Sequence, residues 1–317
     1  MVKTFTKDIL ASKYRDDFDE DKGYQRVIFN NSRALQAREL TQLQTIIQES
    51  LGRFGRNIFK EGAAISEGGL SINRRFRFIK LNTATYNLPD DPDSLVGTSF
   101  IAQTSGVTVK VVQVLEASGS DPATIYVNYT NTVAATSTST TISVTPGEEL
   151  VQVEGSQRLV VQELNTNSNP AFGFGTKISA GEADFFTSGF FIHTPMQELI
   201  LSKYSNSVNK VVGFRVSQDI ITADDDNTLY DNQGSLPNFT APGADRYRIR
   251  LTLTTQDQIT AGQTFCYFAQ VTDSQITDKV SGLDQYNLVN DLMATRTNDE
   301  SGDYTVTPFF IRFEDSA

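Results

Sequence analysis

The chain has 317 residues, and its 38 acidic side chains outnumber its 27 lysines and arginines, giving a formal net charge of −11. This charge argues against a nucleic-acid partner, because phosphates need a basic surface to bind, and against anionic membrane surfaces for the same reason. The single cysteine, Cys266, excludes an intrachain disulfide. The apolar, strand-like segment around Cys266 predicts a buried and unreactive thiol.

The first residues contain no apolar stretch of the kind that secretion signals carry. No part of the sequence approaches the roughly 18 uninterrupted apolar residues that would span a membrane. We therefore expect a protein that is made in the cytoplasm and does not insert into a membrane.

Residues 1–30 predict an extended arm, because neither a helical nor a strand period holds across them. The arm carries the acidic run DDFDEDKG and five aromatic residues, Phe5, Tyr14, Phe18, Tyr24 and Phe29. A disordered tail is normally poor in aromatic residues, so we expect this arm to lie on a surface.

The segment after the arm predicts an amphipathic helix over residues 32–54. Asn31 or Ser32 is suited to cap its start, and Gly52 and Gly55 are expected to end it. Apolar residues recur along one face at helical spacing: Leu40, Leu43, Ile47, Leu51 and Phe54. This stripe is too short for a free-standing coiled coil. The helix is therefore expected to pack on its own domain or on the helix of a partner.

From residue 56 onwards the apolar period changes to two, which predicts strands joined by turns. We expect a mainly β, α+β multi-domain protein with antiparallel, sandwich-like sheets. The predicted divisions are an arm and helix over 1–62, a main β domain over 63–94 and 151–317, and a small inserted β unit over 95–150. A shorter C-terminal helix is predicted from a second apolar stripe at Leu283, Tyr286, Leu288, Val289, Leu292 and Met293.

The catalytic motifs that sequence can show are absent, so we predict no enzyme, no catalytic residue and no cofactor. The lone His193 lacks a second histidine or a cysteine to share a metal, which favours a packed or hydrogen-bonded histidine. Acidic pairs such as Glu148 and Glu149 are more typical of solvated turns than of the two carboxylates of a glycosidase.

One acidic turn is the best candidate for a metal site. Its carboxylates include Asp224, Asp226 and Asp231, and such oxygens would suit Ca²⁺. The turn lacks the spacing of a helix–loop–helix calcium site, so a solvated turn is the favoured interpretation and no metal is predicted.

Several motifs resemble a family of virion structural proteins from tailed bacteriophages, especially contractile-tailed ones. Its members are described as domains of unknown function or as baseplate wedge proteins. The N-terminal motifs are RVIF at Arg26–Phe29, QARELTQLQ at Gln36–Gln44, FG at Phe54–Gly55 and IFKEG at Ile58–Gly62. Residues 228–249 and 295–309 resemble two further motifs of the family.

The resemblance implies a non-enzymatic structural subunit of a tail baseplate, in the wedge or fibre-attachment layer. Its partners would be other tail or baseplate proteins and copies of itself, and its location would be the virion. The residues expected at the assembly interface are Tyr14, Phe18, Tyr24, Leu40, Leu43, Ile47 and Phe54. The alternatives are a receptor- or glycan-binding module of a tail fibre and, more remotely, a cell-envelope hydrolase.

Overall fold

A computed structural model describes residues 14, 16, 18–66, 69–119, 121–131, 143–166, 169–230, 243–280, 292–293 and 295–297. One long helix, α1, spans Ala37–Ile58. The strands are β1 (Ala63–Ala64), β2 (Leu70–Lys80), β3 (Ser99–Ala102), β4 (Thr108–Leu115), β5 (Thr124–Asn131), β6 (Glu149–Gln152), β7 (Arg158–Val160), β8 (Phe172–Ala180), β9 (Ala183–Thr187), β10 (Phe190–Thr194), β11 (Gln197–Ser202), β12 (Lys210–Ile221), β13 (Arg246–Thr255), β14 (Thr264–Thr272) and β15 (Gln275–Lys279). The strands pair antiparallel, which confirms the predicted mainly β, antiparallel fold.

The chain divides into two compact units. The first, here the helix unit, comprises Met1–Ile65, Phe185–Phe191 and Ser281–Ala317. The second, here the sheet unit, comprises Ser66–Asp184 and Ile192–Val280. This division differs from the predicted one, because it adds the turn between β9 and β10 to the helix and keeps residues 95–150 with the strands around them.

The start of α1 lies five residues later than Ser32. Residues 31–33 form a turn in which Ser32 has a φ of 64°, and a residue in that conformation cannot serve as an N-cap with extended backbone. Instead, the Gln36 backbone N–H donates to Glu39 Oε2 at 2.9 Å, one half of a capping box. The predicted cap at Asn31 or Ser32 is therefore wrong.

Two glycines lie inside α1 rather than at its end, which corrects the predicted stop. A Cβ on Gly55 would lie 2.3 Å from the Phe186 ring, and one on Gly52 would lie 3.0 Å from the Gly189 carbonyl oxygen. The absence of side chains thus allows α1 to approach the β9–β10 turn closely. The helix continues to Ile58, where the Phe59 N–H bonds the Gly55 carbonyl at 2.8 Å.

Phe186 is the centre of packing in the helix unit. Its ring is fully buried and lies 6.0 Å from the Phe59 ring and 5.2 Å from the Phe191 ring, measured between centroids. Its backbone carbonyl accepts from the Gly62 N–H at 2.9 Å, and Ala63 pairs with it between β1 and β9. The segment that follows α1 is therefore fixed to the same residue that the helix packs against.

The sheet unit is built on an eight-stranded sheet in the order β11-β8-β2-β5-β4-β3-β6-β7. The strands of residues 95–150 belong to this sheet, with Arg77 of β2 opposite Val127 of β5. They do not form a separate sheet, because β5 pairs directly with β2. The inward-facing side chains of these strands and their neighbours bury one shared core. That core includes Ile79, Leu81, Leu95, Phe100, Val109, Val111, Ile125, Val127, Leu150, Leu159 and Val161.

The same unit contains a four-stranded sheet in the order β13-β12-β14-β15. The Gln197 side chain of β11 links to it through Nε2, which donates to the Leu251 carbonyl at 2.7 Å, and through Oε1, which accepts from the Leu253 N–H at 2.7 Å. Cys266 of β14 is buried, as its apolar segment predicts.

The C-terminal helix was predicted mainly on residues outside the described ones. Leu292, Met293 and residues 295–297 have helical backbone. The predicted positions Leu283, Tyr286, Leu288 and Val289 lie outside the described residues.

Gly55→Ala should destabilise the protein by about 1–3 kcal/mol, because the added methyl group overlaps the Phe186 ring. An ordinary glycine-to-alanine change inside a helix stabilises by about 1 kcal/mol. A loss of stability in Gly55→Ala would therefore indicate the overlap with the Phe186 ring. Urea unfolding of the full chain measures this difference. The control is Gly69→Ala, whose new Cβ has nothing within 4 Å; stability of Gly55→Ala equal to or above that of the unmodified chain would contradict the close approach.

Candidate assembly surface

The apolar stripe of α1, defined as Leu40, Leu43, Ile47, Leu51 and Phe54, lies largely in solvent. Ile47 and Phe54 are each 60% exposed, and Leu40 is 45% exposed. Leu51 is also exposed, and Leu43 is partly buried. Single exposed apolar residues are ordinary, but a contiguous row of them on one helix face is typical of an interaction site.

The helix instead buries a side made mostly of small and polar residues. Its buried residues are Thr45, Ile46, Gly52 and Gly55, whose mean direction lies roughly 150° around the helix axis from that of the apolar stripe at 100° per residue. Gln48 on the buried side donates from Nε2 to the Gly189 carbonyl at 3.1 Å. The sequence leaves open whether the stripe packs on its own domain or on the helix of a partner. In the described structure, most of the stripe does not pack within the chain.

The described residues of the arm contact the buried side of α1 rather than its stripe. Asp16 Oδ2 accepts from the Thr45 hydroxyl at 2.5 Å, and Asp16 Oδ1 accepts from the Phe18 N–H at 3.0 Å. Glu20 forms an ion pair with Arg53 at 2.8 Å. The described part of the arm is thus held on its own helix, where a buried carboxylate is satisfied by two hydrogen bonds.

Phe18 is only 7% exposed in this arrangement. It is therefore unavailable to a partner in this conformation, in contrast to its predicted place at the assembly interface. Tyr14 is partly buried, whereas Tyr24 is exposed, as are Ile28 and Phe29 beyond it. Within the described part of the arm, the exposed large apolar side chains thus follow residue 23.

His193 lies on β10 with an exposed side chain. Its Nδ1 is 3.2 Å from Asp184 Oδ1, and its Nε2 is 3.6 Å from Glu182 Oε1. The hydrogen-bonded alternative of the sequence interpretation therefore applies. Within the described ranges, no group of three or more histidine, cysteine or acidic side chains is arranged to hold a metal ion.

The acidic turn at residues 224–226 directs its carboxylates at its own hydroxyls and N–H groups. Asp225 accepts from the Thr222 N–H and hydroxyl, and Asp226 accepts from the Thr228 hydroxyl and N–H. These hydrogen bonds lower the pKa of both carboxyls. Asp224 accepts from the Tyr230 hydroxyl at 3.2 Å. Asp231, the third candidate ligand, lies outside the described residues.

Glu148 is buried, unlike the solvated turn residues that most acidic pairs form. It accepts from the N–H groups of Thr104, Ser105 and Thr145 and from the hydroxyls of Ser105 and Thr145. Burial raises its pKa, but these hydrogen bonds outweigh burial and lower the pKa overall. The Thr-x-x-Glu spacing of Thr145 and Glu148 is the sequence signal that indicates this hydrogen-bonded carboxylate.

Glu148 is therefore a structural group that ties the loop after β3 to the turn before β6. Its neighbour Glu149 forms an exposed ion pair with Arg158 at 2.9 Å. The two carboxylates have separate structural partners, so this pair does not form the facing carboxylates of a glycosidase.

The fold and this surface define a mainly β protein with one long helix whose apolar side is presented to solvent. The chain belongs to the family described as domain of unknown function DUF4815, which matches residues 12–169 and 182–317. No curated protein and no solved structure matches the chain. Among the described residues, no helix is long and apolar enough to cross a membrane.

Glu148→Gln should destabilise the sheet unit by about 2–3 kcal/mol, because the amide retains one acceptor oxygen and leaves buried donors unpaired. The lowered pKa of Glu148 in the fold gives stability that is present above the unfolded pKa of about 4.3 and lost as pH falls through the folded pKa. The unfolding free energy of Glu148→Gln should consequently fall less steeply below about pH 5 than that of the unmodified chain. Urea titrations from about pH 7 down to pH 3 measure both effects, with Glu149→Gln as the exposed control. Identical pH profiles for all three proteins would contradict the role of Glu148.

Proposed function

We propose that this chain is a structural subunit of a bacteriophage tail baseplate, in the wedge or fibre-attachment layer, and that it acts by assembly rather than by catalysis. The observation that carries the proposal is the orientation of α1. The helix packs in its own unit through its glycines and polar side chains and leaves Ile47 and Phe54 in solvent. A helix with this arrangement is suited to insert its apolar side into a neighbouring subunit.

The motifs of the sequence support the same assignment. QARELTQLQ, which resembles the phage tail family most closely, spans Gln36–Gln44 and contains Leu40 and Leu43 of the apolar stripe. The stripe and the family motif therefore occupy the same helix. In this proposal the partners are other baseplate proteins and copies of the chain, and the protein is located in the virion.

The free energy available from burying the stripe favours an assembly with several contacts. The four exposed stripe residues are about half-exposed each, so their complete burial would contribute roughly 1 kcal/mol apiece. Association of two proteins costs several kcal/mol in lost freedom, about 4 or more. The stripe alone is thus insufficient for a tight pair, whereas repeated contacts around a ring would add through their effective concentration.

The exposed arm segment provides a second apolar contact in the proposal. Tyr24 and Phe29 follow the part of the arm that Asp16 and Glu20 hold on α1. Their backbone is fixed at one end, which reduces the ordering cost when a partner covers them. The antiparallel sheets of the sheet unit would form the body of the subunit.

Ile47→Glu should abolish incorporation of the chain into tail particles while leaving its fold intact, because the new charge would have to be desolvated in an apolar contact. The matched control is Arg38→Glu, which places a glutamate on an exposed position of α1 about 180° around the helix axis from Ile47. Incorporation is measured by quantifying each variant in purified particles that lack the unmodified chain. The thermal unfolding midpoint of both variants should equal that of the unmodified chain.

Normal incorporation of Ile47→Glu would exclude the stripe as the assembly contact. A cryo-electron microscopy map of intact tail tips tests the location separately, and absence of the chain from the baseplate would overturn the assignment. Saturable binding of the isolated chain on a glycan array would favour a receptor-binding fibre module instead. Lysis of host-envelope material in a zymogram would favour a hydrolase.

A further inference from the structure

One side of the four-stranded sheet carries a row of arginines. Arg246, Arg248 and Arg250 alternate along β13, and the pairing of Ser217 with Arg250 and of Arg215 with Thr252 places Arg215 of β12 on the same side. We call these four residues the arginine face. Such a local excess of positive charge contrasts with the net charge of −11 of the whole chain.

Two of these arginines have local partners, and the other two have none among the described residues. Arg248 lies 3.5 Å from Asp219, and Arg246 donates to the Ala244 carbonyl at 2.9 Å. No carboxylate of the described residues forms an ion pair with Arg215 or Arg250, and both side chains are exposed. The two are diagonal neighbours on adjacent strands, close enough for one acidic segment to reach both guanidinium groups.

An aromatic ring provides an apolar border beside Arg215. Phe265 of β14 pairs opposite Arg215, and its ring lies over Gly213, where an added Cβ would be 2.5 Å from the ring. Because a ring beside a guanidinium limits access of water, a carboxylate bound there would interact more strongly than in open solvent. The flat side of a sheet with charged and apolar groups suits a protein surface rather than a small molecule.

The same unit carries an acidic loop with complementary properties. Asp90, Asp91 and Asp93 are exposed, and no ion pair joins any of them to another described residue. We call these residues the acidic loop. Two leucines hold its ends, since Leu95 is buried in the main core and Leu88 packs against that core.

Local structure keeps the acidic loop in one shape. Pro89 and Pro92 restrict the backbone within it, and Pro92–Leu95 form a 3₁₀ turn in which the Ser94 N–H bonds the Asp91 carbonyl at 3.2 Å. A loop that is ordered before binding loses little entropy when it binds. Exposed Val96 at the end of the turn would match the apolar border at Phe265.

We propose that the arginine face binds the acidic loop of a second copy of this chain. The contact joins two different patches, so it either occurs twice in a two-fold dimer or leads to a ring or to an extended row of copies. A nucleic acid or an anionic membrane is a poorer occupant, because either would meet the repulsion of the net negative charge over a much larger surface. The inference is independent of the apolar stripe of α1.

Charge reversal on each side provides the test. Sedimentation velocity of the full chain at about 50 mM salt should show self-association that weakens strongly at about 500 mM, as expected for exposed ion pairs. Arg215→Glu with Arg250→Glu, and separately Asp90→Lys with Asp91→Lys, should each weaken self-association by about tenfold or more. An equimolar mixture of the two variants should restore it, because each face then meets a loop of opposite charge.

Arg75→Glu with Lys110→Glu is the matched control for the double arginine variant. It reverses two exposed cations elsewhere in the sheet unit and gives the same net charge as that variant. This control should associate like the unmodified chain, and all variants should unfold at the same temperature. A chain that stays monomeric at low salt, self-association that survives either reversal, or a mixture that does not recover it would each overturn the proposal.

The Ile47→Glu variant separates this contact from the stripe. It should retain the salt-sensitive self-association, because it leaves Arg215, Arg250 and the acidic loop unchanged. A negative result for one contact would therefore leave the test of the other contact valid.

Discussion

The close contact between Gly55 of α1 and the ring of Phe186 determines the orientation of the helix, and the rest of the helix unit depends on it. Because Gly55 has no side chain, the helix turns its small, polar side towards the β9–β10 turn. Phe186 also anchors the segment after α1 through Gly62 and Ala63. The apolar stripe is exposed as a direct consequence, since a helix cannot bury two opposite sides against a single turn.

This arrangement reverses the usual relation between an amphipathic helix and its own domain. A surface helix normally buries its apolar side and exposes its polar side. Here the described part of the arm adds to the inward packing, through Asp16 on Thr45 and Glu20 on Arg53. Most of the apolar stripe stays exposed, and this exposure is the physical basis of the proposed assembly role. Exposure of this kind has a cost in solubility that a large negative net charge helps to offset.

The sheet unit follows ordinary rules of β structure, and its surface chemistry is set by strand pairing. The pairing of β12 with β13 brings Arg215 beside Arg250 although 34 intervening positions separate them in the sequence. Glu148, in the same unit, is a charged group in the interior instead of at the surface. It accepts enough hydrogen bonds from N–H and hydroxyl groups to remain charged while buried. Free charge at the surface and satisfied charge in the interior thus result from the same fold.

Local patterns in the sequence were sufficient for the fold class, the existence of α1, its apolar stripe and the burial of Cys266, because each depends on periodicity or composition within a short window. Patterns of this range could not show that Gly52 and Gly55 continue the helix, since glycine is compatible both with a helix end and with close packing. The tertiary structure alone decided which side of α1 faces inward, that β3, β4, β5 and β6 share the sheet of β2, and that Phe18 is buried. Each of these outcomes depends on a partner distant in sequence, such as Phe186 for Gly55, and no local pattern specifies that partner.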